Sequence, residues 1–257
     1  MANSSRRKRT AEGLSGDAIR AWLHVPDGLV LPEWARWGLK AGVQAQIEAH
    51  EGTPLDSVVF GIVDLETTGL SAQRDRILEI GLVVLRGGRI LERYSTLVAV
   101  ASPIPSLITR ITGIDGDTLL GAPEEAEALQ GLKRVIQEQE VDVLVAHNAG
   151  FDRGFLERAW SRNGLVPDLP TFLCSLRLAR AWVQAPSYGL DQLVTQLGIP
   201  PAARHRALGD AEMTSTLWWE LIERGRLEGV HTLEALCLKA ELGRQPGPSR
   251  RIRVVDG

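Results

Sequence analysis

Apolar positions in the middle of the chain follow the pattern of β-strands. Residues 57–65 (SVVFGIVDL) and 77–85 (ILEIGLVVL) are runs rich in β-branched residues, and Gly87 and Gly88 separate the second run from a third at 90–98. A glycine pair between two such runs is typical of a tight hairpin, because the central residues of its turn often need positive φ. The pattern predicts antiparallel strands at the start of a domain.

Downstream of residue 120, helical and strand periodicities alternate. Short, almost wholly apolar runs in this part are typical of central strands that are covered on both faces. Antiparallel strands followed by alternating strands and helices predict a mixed sheet with helices on its faces, which is an α/β fold. The predicted strands are 141–146 and 171–174, and the predicted helices are 123–139, 150–163, 189–197 and 206–224.

The two ends of the chain differ from this core. Residues 16–56 hold Trp22, Trp34 and Trp37, three of the seven tryptophans, and the helical spacing after Pro32 predicts an N-terminal helical extension. We interpret its apolar stripe as packing against the main domain, and the alternative is a partner-binding element. The predicted division is a basic tail and Trp-containing helical extension at 1–56, a main domain at 57–226, and a C-terminal helix with a basic tail at 227–257.

The composition is that of an average globular protein, with 44% hydrophobic and 24% charged residues among 257. No apolar run is long enough to predict a membrane helix, and the RRKR sequence near the N-terminus precedes polar residues rather than the apolar segment of a signal peptide. The cysteines, Cys174 and Cys237, are too few for a disulfide framework. We therefore expect a cytoplasmic protein without membrane contact.

Charge is distributed unevenly along the chain. The formal net charge of -3 combines +4 in residues 1–10 and +3 in residues 243–257 with -10 in the interior. A protein that only binds polyanions is expected to show a basic face. The acidic interior instead favours a body that holds cations.

Acidic residues occur where the pattern calls for apolar ones. Strand alternation places Asp64 and Glu66 on one face of the first strand, at its carboxyl end. Asp152 lies on the apolar stripe of its predicted helix, together with Phe155. Asp210 lies on the apolar stripe of the helix predicted at 206–224. An uncompensated buried carboxylate costs several kcal/mol, so each needs a hydrogen-bond partner, a cation or a metal. For either helical acid alone, a role at the helix start is the alternative.

The predicted topology brings these acids together. If the strands at 57–65 and 141–146 are parallel neighbours, Asp64, Glu66 and the helix that holds Asp152 meet at the carboxyl edge of the sheet, where α/β folds bind ligands. Converging carboxylates repel one another, and hard divalent cations relieve that repulsion. We therefore predict Mg²⁺ or Mn²⁺ rather than zinc, which favours sulfur and nitrogen ligands.

A histidine precedes the last of these helices. His205 lies five residues before Asp210, in the predicted loop that leads into the helix. Histidine changes charge near neutral pH, which suits a group that takes a proton from water. The sequence therefore predicts His205 as the general base of a metal-dependent site.

Three motifs carry a resemblance to a known family. VDLETTGL (63–70), HNAGFD (147–152) and HRALGDA (205–211) resemble the exonuclease motifs of the DEDD superfamily, in the DEDDh branch whose third motif contains a histidine. That branch includes the epsilon proofreading subunit of bacterial DNA polymerase III, other DnaQ-like exonucleases, ribonuclease T and oligoribonuclease. ITGI (111–114) and YGLDQLVTQLGI (188–199) are secondary matches.

The resemblance implies a ribonuclease H-like fold, a mixed five-stranded sheet flanked by helices, and 3′-to-5′ hydrolysis of nucleic acid to nucleoside monophosphates. It implies two divalent ions per site, bound by Asp64, Glu66, Asp152 and Asp210, with His205 deprotonating the attacking water. The positions that match substrate contacts are Thr67, Thr68, Leu70, Thr112, His147, Asn148 and Phe151, for which ordinary turn and packing roles are the alternative.

The substrate that we predict is a single-stranded or frayed DNA 3′ end, because the end must enter an edge cleft as a separated strand. Proofreading or repair would use such an activity, and the basic tails would add phosphate contacts. One alternative is an exoribonuclease that trims RNA. The other is a non-catalytic module that recruits a polymerase or repair complex through the N-terminal segment.

Overall fold

A computed structural model describes residues 52–165, 169–202 and 205–242, with the backbone alone for 241 and 242. The predicted N-terminal helical extension, including Trp22, Trp34 and Trp37, lies outside the described residues except for its last few positions. Both basic tails also lie outside them.

The described residues form one mixed sheet in the strand order β3-β2-β1-β4-β5. β1 pairs with β2 and β2 with β3 in antiparallel fashion, whereas β1 pairs with β4 and β4 with β5 in parallel. The predicted ribonuclease H-like α/β fold is confirmed, and the first and fourth strands are parallel neighbours, the condition on which the predicted meeting of the acids depends. The strands are β1 (Val59–Thr67), β2 (Ile77–Arg86), β3 (Arg89–Leu97), β4 (Val143–Ala146) and β5 (Thr171–Cys174).

The glycine pair forms the predicted hairpin between β2 and β3. Gly87 and Gly88 have φ values of 55° and 74°, a region that residues with a β-carbon rarely adopt. A β-carbon on Gly88 would also lie 2.8 Å from Trp219 Nε1. Both backbone conformation and packing therefore select glycine at this turn.

Seven helices are seen in the described ranges, and five of them lie where helices are predicted, including the C-terminal helix placed within 227–257. The first and fourth were not predicted, because the first is short and follows two prolines and the fourth begins at the residue after β5. The helices are α1 (Ser106–Thr112), α2 (Glu125–Glu138), α3 (Gly150–Arg162), α4 (Ser175–Trp182), α5 (Leu190–Gln196), α6 (Ala207–Leu227) and α7 (Leu233–Leu242).

The sheet is covered on both faces. Helices α4 to α7 pack on one face, where the rings of Phe60 in β1 and Trp218 in α6 meet edge to face at 5.4 Å. Helices α2 and α3 pack on the other face, where Phe155 and Trp160 are buried. Complete burial of a large apolar side chain contributes about 1.5–3 kcal/mol. These two layers fix α3 and α6, which carry two of the predicted acids, on opposite faces of the sheet.

The first described residues contact the start of α7. Pro54 and Thr232 form an isolated antiparallel bridge, and the Leu233 amide donates to the carbonyl oxygen of Thr53 over 2.9 Å. The Gly52 amide also donates to Glu234, at 3.2 Å. The described part of the chain therefore begins and ends on the same side of the sheet.

Among the helices of the described ranges, none combines the length and apolarity needed to span a membrane. Cys174 and Cys237 are both buried and reduced.

Candidate active site

Three carboxylates meet at the carboxyl end of β1. Asp64 and Glu66 occupy alternate positions on the strand, and Asp210 lies in the first turn of α6, which packs on that face of the sheet. One oxygen from each of these carboxylates lies within 4.8 Å of the others. Charged oxygens at this spacing repel one another, and a hard cation placed among them would have oxygen ligands from several directions.

Asp152 approaches from the other face of the sheet. Its side chain is buried in the first turn of α3 and accepts a hydrogen bond from the Leu65 amide. β1 continues beyond the last residue that pairs with β4, which is Ile62, so the Leu65 amide is open to this side chain. The charge of Asp152 also raises the pKa of Asp64. The structure therefore brings all four predicted acids to one edge of the sheet.

Burial raises the pKa values of these carboxyls. It acts first on Asp64, whose pKa lies well above its ordinary value, and neighbouring carboxylates raise it further. Burial likewise raises the pKa of Asp152 to about 7. Burial and the charge of Asp210 raise the pKa of Glu66 to about 7. In the absence of a cation, Asp152 and Glu66 therefore take up protons near neutral pH.

The donor set fits a hard divalent cation. All of the candidate ligand atoms in the group are carboxylate oxygens, which such ions prefer. A bound cation would lower the pKa values that burial and mutual repulsion raise, since it favours the charged form of each group. Asp64, Glu66 and Asp210 are placed to hold it, and Asp152 lies beside them.

His205 lies at the entrance to α6 rather than among the carboxylates. Its side chain is exposed, and its backbone is left-handed with a φ of 56°. Arg206 follows as the cap of α6, and Asp210 comes one turn later. The turn at His205 therefore sits directly on the element that supplies an acid to the site.

Glu79 is a functional candidate that the sequence analysis missed. It lies on β2, it is buried, and it accepts hydrogen bonds from the Arg206 guanidinium and from the Ala207 amide. An acid inside the apolar run ILEIGLVVL was the available signal. The partner is 127 positions away in sequence, so no local pattern could identify it.

The turn after β1 holds its two threonines in place and exposes the residue that follows. Thr67 Oγ1 donates to the carbonyl oxygen of Gly69 at 2.7 Å, and Thr68 Oγ1 accepts from the Arg76 amide at 2.9 Å. Leu70 is 89% exposed. An apolar side chain in this position can contact a ligand at the edge of the sheet without disturbing the core.

Thr112 and His147 have their polar atoms occupied within the protein. Thr112 Oγ1 donates to the Ile108 carbonyl and accepts from the Ile114 amide, each at 3.0 Å. His147 Nε2 donates to the Tyr188 carbonyl at 2.8 Å, and Nδ1 lies 2.9 Å from Ser175 Oγ. Burial lowers the pKa of His147 and so favours its neutral form. These contacts support structural roles, and a substrate contact for either residue stays a prediction.

Asn148 lies in the turn between β4 and α3, and Phe151 is the second residue of α3. Asn148 is exposed and left-handed, with a φ of 71°. Phe151 is half-buried against Phe155, with ring centroids 4.8 Å apart. Both residues lie beside Asp152, so the turn positions that acid, while their contact with a substrate also stays a prediction.

The family follows from residues 62–217, which match the model of the ribonuclease T family, described as exonuclease. The chain belongs to this exonuclease family. The DnaQ-like and ribonuclease T resemblance of the three motifs is thereby confirmed. The match begins within β1 and ends within α6, so it includes all four acids and His205.

Two curated relatives are longer proteins. A PolC-type DNA polymerase III of Thermotoga maritima is 33% identical over 207 residues, which is 78% of this chain and 15% of the relative. A putative bifunctional exonuclease/endonuclease protein of Mycobacterium tuberculosis is 36% identical over 225 residues, covering 80% of this chain and 34% of the relative. The chain thus spans about a third of these relatives or less.

Solved structures share the fold. Exonuclease X, in complex with 5′ overhanging duplex DNA, is 27% identical with a TM-score of 0.53, and the match covers 72% of this chain and 99% of exonuclease X. Exonuclease I of E. coli, in complex with a dT13 oligonucleotide, is 19% identical with a TM-score of 0.60, over 67% of this chain and 43% of that protein. The second likeness concerns the fold alone.

Proposed function

We propose that this exonuclease-family chain hydrolyses DNA from the 3′ end in the 3′-to-5′ direction and releases nucleoside monophosphates. The observation that carries the proposal is the meeting of Asp64, Glu66 and Asp210 within 4.8 Å at the carboxyl edge of the sheet. Four carboxylates at one edge have no use in a fold that only needs a core, because their mutual repulsion opposes folding. Cations would remove that cost.

We assign the metal as Mg²⁺ or Mn²⁺, with two ions held by the four acids. Carboxylate oxygens suit these hard cations. When bound, two such ions lower the pKa of water and stabilise charge on the oxygen that leaves the phosphate. Because the four acids would hold the ions, they determine where the scissile phosphate binds at the edge of the sheet. Without the ions, the acids would repel the negative charge of the phosphate.

His205 is the proposed base that accepts the proton of the attacking water. Its exposure at the start of α6 allows it to pass that proton on to solvent. Because it is one turn away from Asp210, the same helix start supplies both the base and an acid of the metal site.

DNA is the favoured substrate. Exonuclease X, the solved structure with 27% identity, is bound to duplex DNA with a 5′ overhang, and PolC-type relatives are DNA polymerases. Leu70, exposed in the turn that follows β1, would hold the terminal nucleotide apart from its neighbour, which favours single-stranded or frayed ends. An RNA substrate is the alternative that the experiment below tests.

The cellular context that we propose is proofreading or repair in the cytoplasm. PolC-type relatives carry a matching segment within a polymerase chain. In this protein, residues 1–56 would be the element that contacts a polymerase or repair complex, and the basic tails would contact DNA. Removal of residues 1–10 and 243–257 is expected to weaken DNA binding and to reduce its salt dependence.

The test is nucleotide release from oligonucleotides labelled at the 5′ end. Wild type with Mg²⁺ or Mn²⁺ is expected to give a ladder of shortening labelled products, whereas Asp64→Asn gives none. A ribo-ended oligomer of the same sequence separates DNA from RNA, since the 2′-hydroxyl is the discriminating group. Loss of the 5′ label in a single mononucleotide step, or equal release by wild type and Asp64→Asn, would overturn the proposal.

A further inference from the structure

Glu79 is a buried acid whose acceptor sites are filled by protein donors. Arg206 donates from Nε at 3.0 Å to one oxygen and from Nη2 at 2.7 Å to the other. The Ala207 amide donates at 3.0 Å, and Ser95 Oγ lies 3.4 Å away. Glu79 thus accepts hydrogen bonds from two nitrogens of the guanidinium and from a backbone amide. Hydrogen bonds of this kind are charge-assisted and strong.

These hydrogen bonds hold two consecutive residues, Arg206 through its side chain and Ala207 through its backbone amide. Arg206 is the cap of α6, and Ala207 is its first residue, so Glu79 holds the chain where loop becomes helix. His205, the residue before, is left-handed with a φ of 56°. Side chains with a β-carbon adopt that conformation at a cost of about 1–2 kcal/mol. Neighbouring contacts therefore have to keep the turn in place, and Glu79 bonds to the two residues that follow it.

The sheet leaves little room for this turn to shift. Gly81 lies two residues after Glu79, on the same face of β2, and a β-carbon there would collide with the backbone of Ala207 and Leu208. The start of α6 therefore rests directly on β2. A helix start that is clamped by Glu79 and seated on Gly81 has one position relative to Asp64 and Glu66.

Arg206 also lies beside the metal site. Its charge opposes the rise in the pKa of Glu66, and its side chain is 46% exposed. The guanidinium therefore faces the carboxylate group on one side and solvent on the other. The pairing with Glu79 fixes which way it points.

We propose that Glu79 and Arg206 form a positioning pair that sets the turn carrying His205 and the first turn of α6 carrying Asp210. The pair acts through these residues on the rate of turnover, and it does not contribute to the affinity for nucleic acid. The inference rests on the proposed exonuclease function. It adds two residues that no motif of the sequence analysis assigned a role.

The first test compares Glu79→Gln, Arg206→Gln and the double variant with wild type in Mg²⁺-dependent nucleotide release. Each single variant is expected to lower kcat by about 10- to 100-fold, as loss of groups that orient metal-site residues typically does. KM is expected to stay near the wild-type value. The double variant should be no slower than the slower single variant, because the two residues act as one unit.

Glu212→Gln is the matched control. Glu212 lies in the second turn of α6 and pairs with Arg93 of β3 at 2.6 Å, so its ion pair is more exposed than that of Glu79 and bonds to neither Arg206 nor the Ala207 amide. Its loss should leave kcat unchanged. Arg206→Lys provides a conservative comparison, since lysine keeps the charge but cannot bond in a fork. It should recover part of the rate that Arg206→Gln loses.

A second readout does not depend on catalysis. In the metal-free protein, the amides of residues 207–210 are expected to exchange faster with deuterium in Glu79→Gln than in wild type or Glu212→Gln. Arg206→Lys keeps a positive charge beside the buried Glu79, so it retains the fold even if Glu79→Gln or Arg206→Gln does not, and melting curves report this directly.

The inference is overturned if the Arg206 and Glu79 variants raise KM at unchanged kcat, if their effects on kcat add, or if amide exchange is unchanged. Wild type that releases no nucleotide with either metal overturns the proposed function instead. In that case the exchange measurement alone decides whether the pair holds the helix start.

Discussion

Two buried acids in the same molecule show opposite solutions to one physical problem. Glu79 and Asp152 are both almost fully removed from solvent. Glu79 meets the guanidinium of Arg206 and the amide of Ala207. Asp152 meets a backbone amide and lies near other carboxylates, and burial raises its pKa to about 7. Burial alone therefore does not mark a functional acid, whereas burial without a compensating cation does.

This difference assigns the two acids different tasks. An acid whose charge is balanced by arginine has a structural role in the folded protein. An acid that is raised to a pKa near neutral is poised to exchange its proton for a metal. Removal of each charge, or of the contacts around it, should therefore have different consequences for activity and stability.

The largest contrast comes from removing each charge. Asp152→Asn is expected to lower nucleotide release by about 10²–10³-fold, as loss of one electrostatic stabiliser of a transition state does. In EDTA at pH 8 it should nevertheless melt at a higher temperature than wild type, because the buried charge is gone. Glu79→Gln should melt at a lower temperature under the same conditions, since it leaves Arg206 without its partner. If both variants shift melting in the same direction, the contrast fails.

Protons and metal ions should compete for the acids of the site. The folded pKa values of Asp152 and Glu66, about 7, exceed their ordinary values of 3.8 and 4.5. Their contribution to metal-free stability is therefore full below about pH 4 and is lost as the pH rises through about 7. Mg²⁺ at about 100 times its Kd should add about 2.7 kcal/mol, or roughly 5–10 °C in melting temperature.

The gain from Mg²⁺ should be larger at pH 8 than at pH 6, because protons compete with the metal at the lower pH. Scanning calorimetry at the two pH values measures it, with Asp152→Asn as the variant that loses most of it. A gain that is equal at both pH values would show that these carboxyls do not bind the metal.

Gly81→Ala tests whether the position of the start of α6 depends on its close contact with β2. Its β-carbon would collide with the backbone of Ala207, so about 1–3 kcal/mol of stability should be lost. Gly61→Ala is the matched control on β1. Its β-carbon would meet only side chains, with Leu144 Cδ2 at 2.9 Å, and these can move. Urea unfolding should show the larger loss for Gly81→Ala, and the reverse order would contradict the proposed seat of the helix.

The smallest effect on stability is expected at Leu70. Because this side chain is 89% exposed, Leu70→Ala should change unfolding free energy by less than about 0.5 kcal/mol. Nucleotide release from blunt duplex ends should nevertheless fall several-fold, while release from single strands stays close to wild type. Equal rates on duplex ends for variant and wild type would remove Leu70 from the substrate site.

The sequence could predict those features that depend on local periodicity. The alternation in β1 placed Asp64 and Glu66 on one face, and the apolar stripes of α3 and α6 placed Asp152 and Asp210 toward the sheet. Parallel pairing of β1 and β4 was the condition for these acids to meet, and the structure has that pairing.

Features that depend on distant contacts could not be predicted in this way. Glu79 was hidden within an apolar run because its partner Arg206 is close only in the folded chain. The ring nitrogens of His147 find Ser175 and the Tyr188 carbonyl, so a motif position that suggests substrate contact is occupied by structural bonds. A motif therefore identifies the residue type at a site, while the packing around it determines which atoms are available.

The bridge between Pro54 and Thr232 has a consequence for how such a unit is carried in larger proteins. With Gly52 bonded to Glu234, the segment that enters the folded unit is tied to the first turn of α7, the last described helix. In the two curated relatives the matching segment occupies 15% and 34% of the chain, so a longer polypeptide surrounds it. The contact between the first described residues and α7 lets the two outermost elements of such a unit hold each other in place.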